Sequence, residues 1–76
     1  MTEQTHAEFW DREERATVCL VSEERATLDQ EELIVRTETR WGIRWRHADS
    51  RADHLERYPD EKEARVRYTQ LRGQQT

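Results

Sequence analysis

Residues 33–46, LIVRTETRWGIRWR, decide the fold because their side chains alternate in character along the chain. Odd-numbered positions are apolar, aromatic or threonine, and the even-numbered positions after Ile34 are charged except for Gly42. Successive side chains of a β-strand point to opposite faces of the sheet. The pattern therefore predicts a strand with one apolar and one charged face, and its β-branched and aromatic residues favour the same structure.

The length of this stretch leaves two alternatives, since strands usually contain roughly 5–6 residues. A hairpin with a loop at 37–39 would pair Val35 with Trp41 and keep the two faces distinct. No Gly, Asn or Pro occupies that loop, which makes it a poor turn. The composition favours one long, bent strand, with a bulge at Gly42.

Two shorter segments extend this sheet. Residues 16–22, ATVCLVS, are apolar on both faces, which is typical of a central strand, with a buried helical segment as the alternative. Residues 54–58 predict a short strand, and the polar residues 47–53 predict the loop before it. The acidic residues 23–32 are expected to form a connection with one helical turn around Leu28.

Residues 59–72, PDEKEARVRYTQLR, predict the C-terminal helix. Pro59 suits the first helical position, and acidic residues in the first turn with arginines later complement the helix dipole. Gly73 suits the residue that follows a helix. The face expected to pack on the tryptophan side of the sheet contains Ala64, Tyr68 and Leu71. Val66 lies off that face and is expected to be exposed.

The N-terminal segment allows two interpretations. Thr5 and Glu8 fit a capping box, which predicts a short helix over about 6–14. The alternative is a frayed tail whose aromatic pair, Phe9 and Trp10, docks on the core.

Together these elements predict a small α+β protein with a single domain over residues 1–76. An antiparallel β-meander of about three strands packs on one C-terminal helix, and a short N-terminal helix remains an alternative. Residues 1–5 and 74–76 are expected to be disordered.

Composition limits the size of the core. A chain of 76 residues buries only about 60% of its unfolded surface. Apolar residues make up 33% and charged residues 39%, so a homodimer is one way in which such a chain could gain core. The candidate apolar interface consists of Phe9, Trp10 and Val66.

Cys19 is the only cysteine, which excludes an internal disulfide. Its apolar neighbours indicate a small buried side chain and not a nucleophile. We recognise neither a signal peptide nor an apolar run long enough for a membrane span. The expected location is cytoplasmic, without membrane contact.

The sequence contains no motif that predicts catalysis or a cofactor. Neither a Ser/His/Asp or Cys/His arrangement nor a Gly-rich phosphate loop is evident, so we do not expect an enzyme. Two His and two Asp lie within residues 47–54. Their spacing fits neither a zinc pattern nor a calcium loop, so we predict no metal site.

A row of arginines lies on the strand face opposite the tryptophans. It comprises Arg36, Arg40, Arg44 and Arg46. One helix covers only one side of the sheet, so this row is expected to face solvent or a partner. It is either paired across strands with carboxylates such as Glu38 and Glu56 or free to bind anions. The net charge of −4 disfavours nucleic acid, whose binding proteins are usually basic.

Two resemblances rest on the W-x-x-x-W spacing and on P-D-E-x-E-A-R at the start of the helix. Residues 40–72 resemble the small arm-binding domains of tyrosine integrases, with matches at Trp41, Trp45, Tyr58 and Ala64. That resemblance implies three strands and a helix, with the sheet in the DNA major groove. The same segments resemble small uncharacterised proteins of actinobacteria and their phages, which implies a GC-rich origin and no particular activity.

Two functional hypotheses follow. The first is a small non-enzymatic protein-interaction module with a phage- or host-regulatory role, in which the partner is another protein or a second copy. The alternative is nucleic-acid binding through the arginine row.

Overall fold

The computed structural model describes residues 2–49 and 52–74, and in this part of the chain four strands precede one helix. The elements are β1 (Thr2–Asp11), β2 (Ala16–Asp29), β3 (Ile34–His47), β4 (His54–Tyr58) and α1 (Glu61–Gly73). All neighbouring strands are antiparallel and follow the order β1-β2-β3-β4. The predicted α+β meander with a C-terminal helix is confirmed, with a fourth strand added at its N-terminal side.

Strand β3 is one long strand, as the alternation predicted, and the hairpin alternative is wrong. Its pairing with β2 runs from Ile34 opposite Asp29 to His47 opposite Ala16 without a shift. The bulge predicted at Gly42 is therefore absent from this pairing. Instead, a Cβ at Gly42 would lie 2.7 Å from the backbone oxygen of Glu56. The glycine allows β4 to approach β3 closely.

Strand β2 is the predicted central strand, but it continues to Asp29 where a connection with a helical turn around Leu28 was expected. Residues 23–29 are extended because β3 pairs with them along their whole length. The turn itself occupies residues 30–33. Asp29 Oδ1 accepts hydrogen bonds from the backbone N–H groups of Glu31 and Glu32 at 3.0 and 3.3 Å, and Leu33 has a positive φ of 56°.

The N-terminal segment forms a strand, so the predicted helix over 6–14 and its capping box are wrong. Ala7 and Phe9 pair with Leu20 and Val18 and pack against the core, which explains why burial overrides the local capping signal. A register shift between Thr5 and Ala7 marks a bulge in β1. Disorder was expected for residues 1–5 and 74–76, but residues 2–5 belong to β1 and Gln74 caps the helix. Residues 1, 75 and 76 lie outside the described residues.

The core lies between α1 and one face of the sheet. Ala64, Tyr68 and Leu71 of α1 are buried there, as predicted. The sheet contributes Ala16, Val18, Leu20, Ile43 and Trp45. Helix packing on this face leaves the opposite side of the sheet, which we call the open face, without a covering element in the described part of the chain.

The ends of α1 differ from the sequence prediction by one or two residues. Asp60 is the N-cap, and its side chain accepts a hydrogen bond from Glu63 N–H at 2.9 Å. Pro59 therefore precedes the cap and does not occupy the first helical position. The helix includes Gly73 and is capped by Gln74, so a carboxylate cap starts α1 and no left-handed glycine ends it.

Part of the β2–β3 hairpin projects beyond the helix-covered body. Strand β1 reaches only Glu24 of β2, and β4 reaches only Trp41 of β3. Beyond these positions the two strands pair only with each other. We call residues 25–40 the arm. It accounts for the elongated shape of the described chain, which measures 50 × 28 × 15 Å.

Candidate interaction surfaces

The predicted arginine row lies on the open face, because the alternate positions of β3 supply the core. Cys19 and Val21 of the central strand also point to this face, yet both are buried. Cys19 lies between Glu8 of β1 and Arg44 of β3, and Val21 lies between Thr5 and Gly42, in the middle of the sheet. The open face therefore has a small apolar centre of its own beneath charged side chains.

Glu3 holds two members of the row. Its carboxylate accepts hydrogen bonds from Arg44 Nη2 at 2.8 Å and from Arg44 Nε at 3.1 Å, and Arg46 Nη2 lies 3.8 Å away. This bidentate pairing raises the pKa of Arg44. Since Glu3 is on β1 and Arg44 on β3, the ion pair crosses β2 above its buried open-face residues.

The other two arginines of the row differ from each other. Arg36 lies on the arm and pairs with Glu32 at 3.0 Å. Arg40 makes no ion pair with any residue in 2–49 or 52–74. The sequence suggested Glu38 and Glu56 as partners, but Glu38 lies opposite Arg25 and Glu56 accepts the Tyr58 hydroxyl at 2.7 Å. Cross-strand pairing does occur, with different carboxylates.

The structure does not bring the three candidate apolar residues together. Phe9 is half-buried on the helix side, where its ring meets Tyr68 edge-on at 5.6 Å. Trp10 lies next to it in sequence but faces the other side and is half-exposed, as is Val66 on α1. These residues form separate surfaces, and Phe9 already has a partner within the chain.

The arm carries an apolar group that the sequence did not single out as a surface. Leu28 pairs with Val35 across the two strands. Leu33, at the turn, has 80% of its surface exposed. The exposed large apolar side chains at this end are Leu28, Leu33, Ile34 and Val35. Leu33 and Val35 continue the alternation of the tryptophan face, whereas Ile34 lies on the opposite face. The sequence does not show that the body ends before these residues.

The ion pair between Glu3 and Arg44 is expected to slow the reaction of the Cys19 thiol, because it holds Arg44 above β2. The thiol is fully buried, and burial raises its pKa, with a further contribution from Glu8. Replacing Glu3 with alanine removes the carboxylate that holds Arg44 above β2. We expect faster reaction of Cys19 with an aromatic disulfide reagent, and a stability loss of only about 0–1 kcal/mol because the ion pair is partly exposed.

Glu24→Ala is the matched control, because Glu24 is an exposed carboxylate on β2 that points to the other face of the sheet. In Glu24→Ala, the Cys19 thiol should react at the same rate as in the unmodified chain. Equal rates in the unmodified chain and Glu3→Ala would show that Glu3 does not protect Cys19.

No protein-family model, curated protein or solved structure matches this chain. In residues 2–49 and 52–74, no group of three His, Cys, Asp or Glu side chains could hold a metal ion. The only helix of that same part, α1, is too short and polar to cross a membrane. The surfaces described above are therefore the basis for a functional interpretation.

Proposed function

We propose that this chain is a small non-enzymatic protein-interaction module that contacts its partner through the arm. The observation that carries the proposal is the exposure of Leu28, Leu33, Ile34 and Val35 at the end of a ribbon that leaves the body. These side chains form an exposed apolar group among the charged residues of the arm.

Burial of the arm by a partner would be favourable for a simple reason. Removing apolar surface from water contributes about 25 cal/mol per Å². A contiguous apolar group on a small protein usually marks a binding surface. Charged residues flank it, among them Asp29 and Arg36, and such residues typically form the polar rim of an interface.

A photocrosslinking experiment tests this proposal. Val35 is replaced by a benzophenone amino acid in the full chain, which is then irradiated in extract of its source cells. We expect a crosslinked protein product, either with the chain itself or with another protein. The product should be lost when Leu33→Glu is added, because a carboxylate at the tip opposes burial.

Arg12 is the control position, since it is exposed in the turn between β1 and β2, at the opposite end of the sheet from the arm. The same photoreactive residue at Arg12 should give no product of that mass. If Val35 and Arg12 crosslink equally, or if Leu33→Glu leaves the product unchanged, the arm is not the interaction surface.

Nucleic-acid binding through the arginine row has less support. Glu3 engages two of its members, and Arg36 pairs within the arm. Arg40 is the member that favours this alternative, since no carboxylate of the described residues neutralises it. A phage- or host-regulatory role and a cytoplasmic location remain predictions from the sequence.

A further inference from the structure

The outer edge of the arm in β3 is an unpaired strand edge. Strand β4 ends with Tyr58 opposite Trp41, and the chain then turns at Pro59 into α1. In residues 2–49 and 52–74, no strand pairs with this side of residues 34–40. Unpaired N–H and C=O groups on such an edge form a ready template for another strand.

Several devices that usually block such an edge are missing here. Residues 34–40 contain no proline and no lysine, and their register with β2 is regular. Their charges alternate in sign instead, with Arg36, Glu38 and Arg40 on one face. This pattern is the observation that identifies a partner.

We propose that a second copy of this chain pairs antiparallel with the β3 edge, with a two-fold axis at Thr37. The proposal deepens the proposed function, on which it rests, by naming the partner. Arg36 then lies opposite Glu38 of the second copy, and the symmetry repeats the pair. Val35 lies opposite Thr39. Opposite charges directly across an antiparallel pair are stabilising, and the same contact made twice is the form of a symmetric dimer.

Other centres of symmetry fit less well. An axis at Arg36 would place this arginine against itself, and an axis at Glu38 would place two carboxylates together. An axis at Val35 or Thr39 would use only part of the free edge, because the turn or β4 would then meet the second copy. Thr37 is the middle residue of the free segment 34–40, so an axis there pairs the whole segment with itself. The same axis is the one that places opposite charges across from each other.

The same arrangement covers the exposed tip. The second copy's β3 runs in line with β4 along one edge, so its Leu33 comes up to Tyr58 and Pro59. Both helices lie on the same side of the continuous sheet, because the two-fold axis is perpendicular to it. Within one copy, Arg36 pairs with Glu32. That ion pair is exposed and therefore contributes little stability, so little is lost when Arg36 pairs with Glu38 of the second copy instead.

Charge exchange provides the first test. The full chain is expected to sediment as a concentration-dependent dimer at low salt. Arg36→Glu alone and Glu38→Arg alone should each weaken dimerisation about tenfold or more, because each brings like charges together twice. An equimolar mixture of these two variants should dimerise again, since each supplies the charge that the other needs.

Misfolding of either variant cannot produce that recovery, so the mixture separates a folding defect from a lost interface. A monomeric unmodified chain would overturn the proposal, and so would variants that dimerise like the unmodified chain. A mixture that stays monomeric would also overturn it. If the chain is monomeric but Val35 crosslinks another protein, the proposed function stands and this inference fails.

Disulfide trapping locates the axis. In Thr37→Cys the new cysteine lies opposite the same cysteine of the second copy. Their separation is that of directly opposed residues in an antiparallel pair, which a disulfide can span. Oxidation should therefore give a covalent dimer, while buried Cys19 does not react. Thr27→Cys is the matched variant on the shorter free edge of β2. A covalent dimer from Thr27→Cys and none from Thr37→Cys would overturn the assignment to β3.

Discussion

Leu20→Ala is expected to lower the free energy of unfolding by about 2–5 kcal/mol. Leu20 is 2% exposed and belongs to the core between β2 and α1. The substitution removes buried methyl groups and leaves a cavity that close-packed neighbours fill only partly. A small chain has little stability in reserve, so this loss approaches the whole of it. Urea unfolding followed by tryptophan fluorescence and circular dichroism measures the change.

Leu28→Ala is the matched control for Leu20→Ala. The same atoms are removed from the same strand, but Leu28 is 56% exposed on the arm. Its loss should be less than about 1 kcal/mol. Because strand propensity changes equally in both variants, the difference between them reports packing alone. Similar losses in the two variants would contradict the assignment of the core to the body.

Gly42→Ala is expected to destabilise the protein by about 1–3 kcal/mol, the usual cost of overpacking. A Cβ at this position would approach the backbone oxygen of Glu56 to 2.7 Å and the Leu55 side chain to 3.1 Å. A backbone oxygen cannot move aside as a side chain can, so β4 would have to shift away from β3. Urea unfolding measures the loss, and hydrogen exchange should show weaker protection in residues 54–58.

Gly73→Ala supplies the comparison for Gly42→Ala. No atom lies within 4 Å of a Cβ at Gly73, and its φ is not positive. Alanine favours a helix over glycine, so the expected change is neutral or a gain of up to about 1 kcal/mol. If both variants lost the same stability, the close approach of β4 would not be the cause.

The sequence predicted those elements whose evidence is local and periodic. Alternation along residues 33–46 indicated β3, and the i, i+4, i+7 spacing placed Ala64, Tyr68 and Leu71 in the core. Strand β1 was missed because the local capping signal at Thr5 competes with burial against β2, which is a long-range contact. The reason for Gly42 was missed as well, since it depends on how closely β4 approaches.

The candidate surfaces were less predictable than the fold. The face of the arginine row followed from alternation, but its pairing with Glu3 depends on the register of β1, including the bulge before Ala7. The arm depends on where β1 and β4 end relative to β2 and β3. Sequence alone shows the apolar character of residues 33–35 but not the absence of a covering element.

The order of the elements has a consequence for synthesis of the chain. Each strand pairs with its neighbour in sequence, so the sheet can form progressively as hairpins, in about 1–10 μs each. Helix α1, which covers the apolar face, follows all four strands. At ribosomal rates of about 5–20 residues per second, a few seconds pass between the synthesis of β2 and the synthesis of α1. During this interval Val18 and Leu20 are open to contact with other nascent chains.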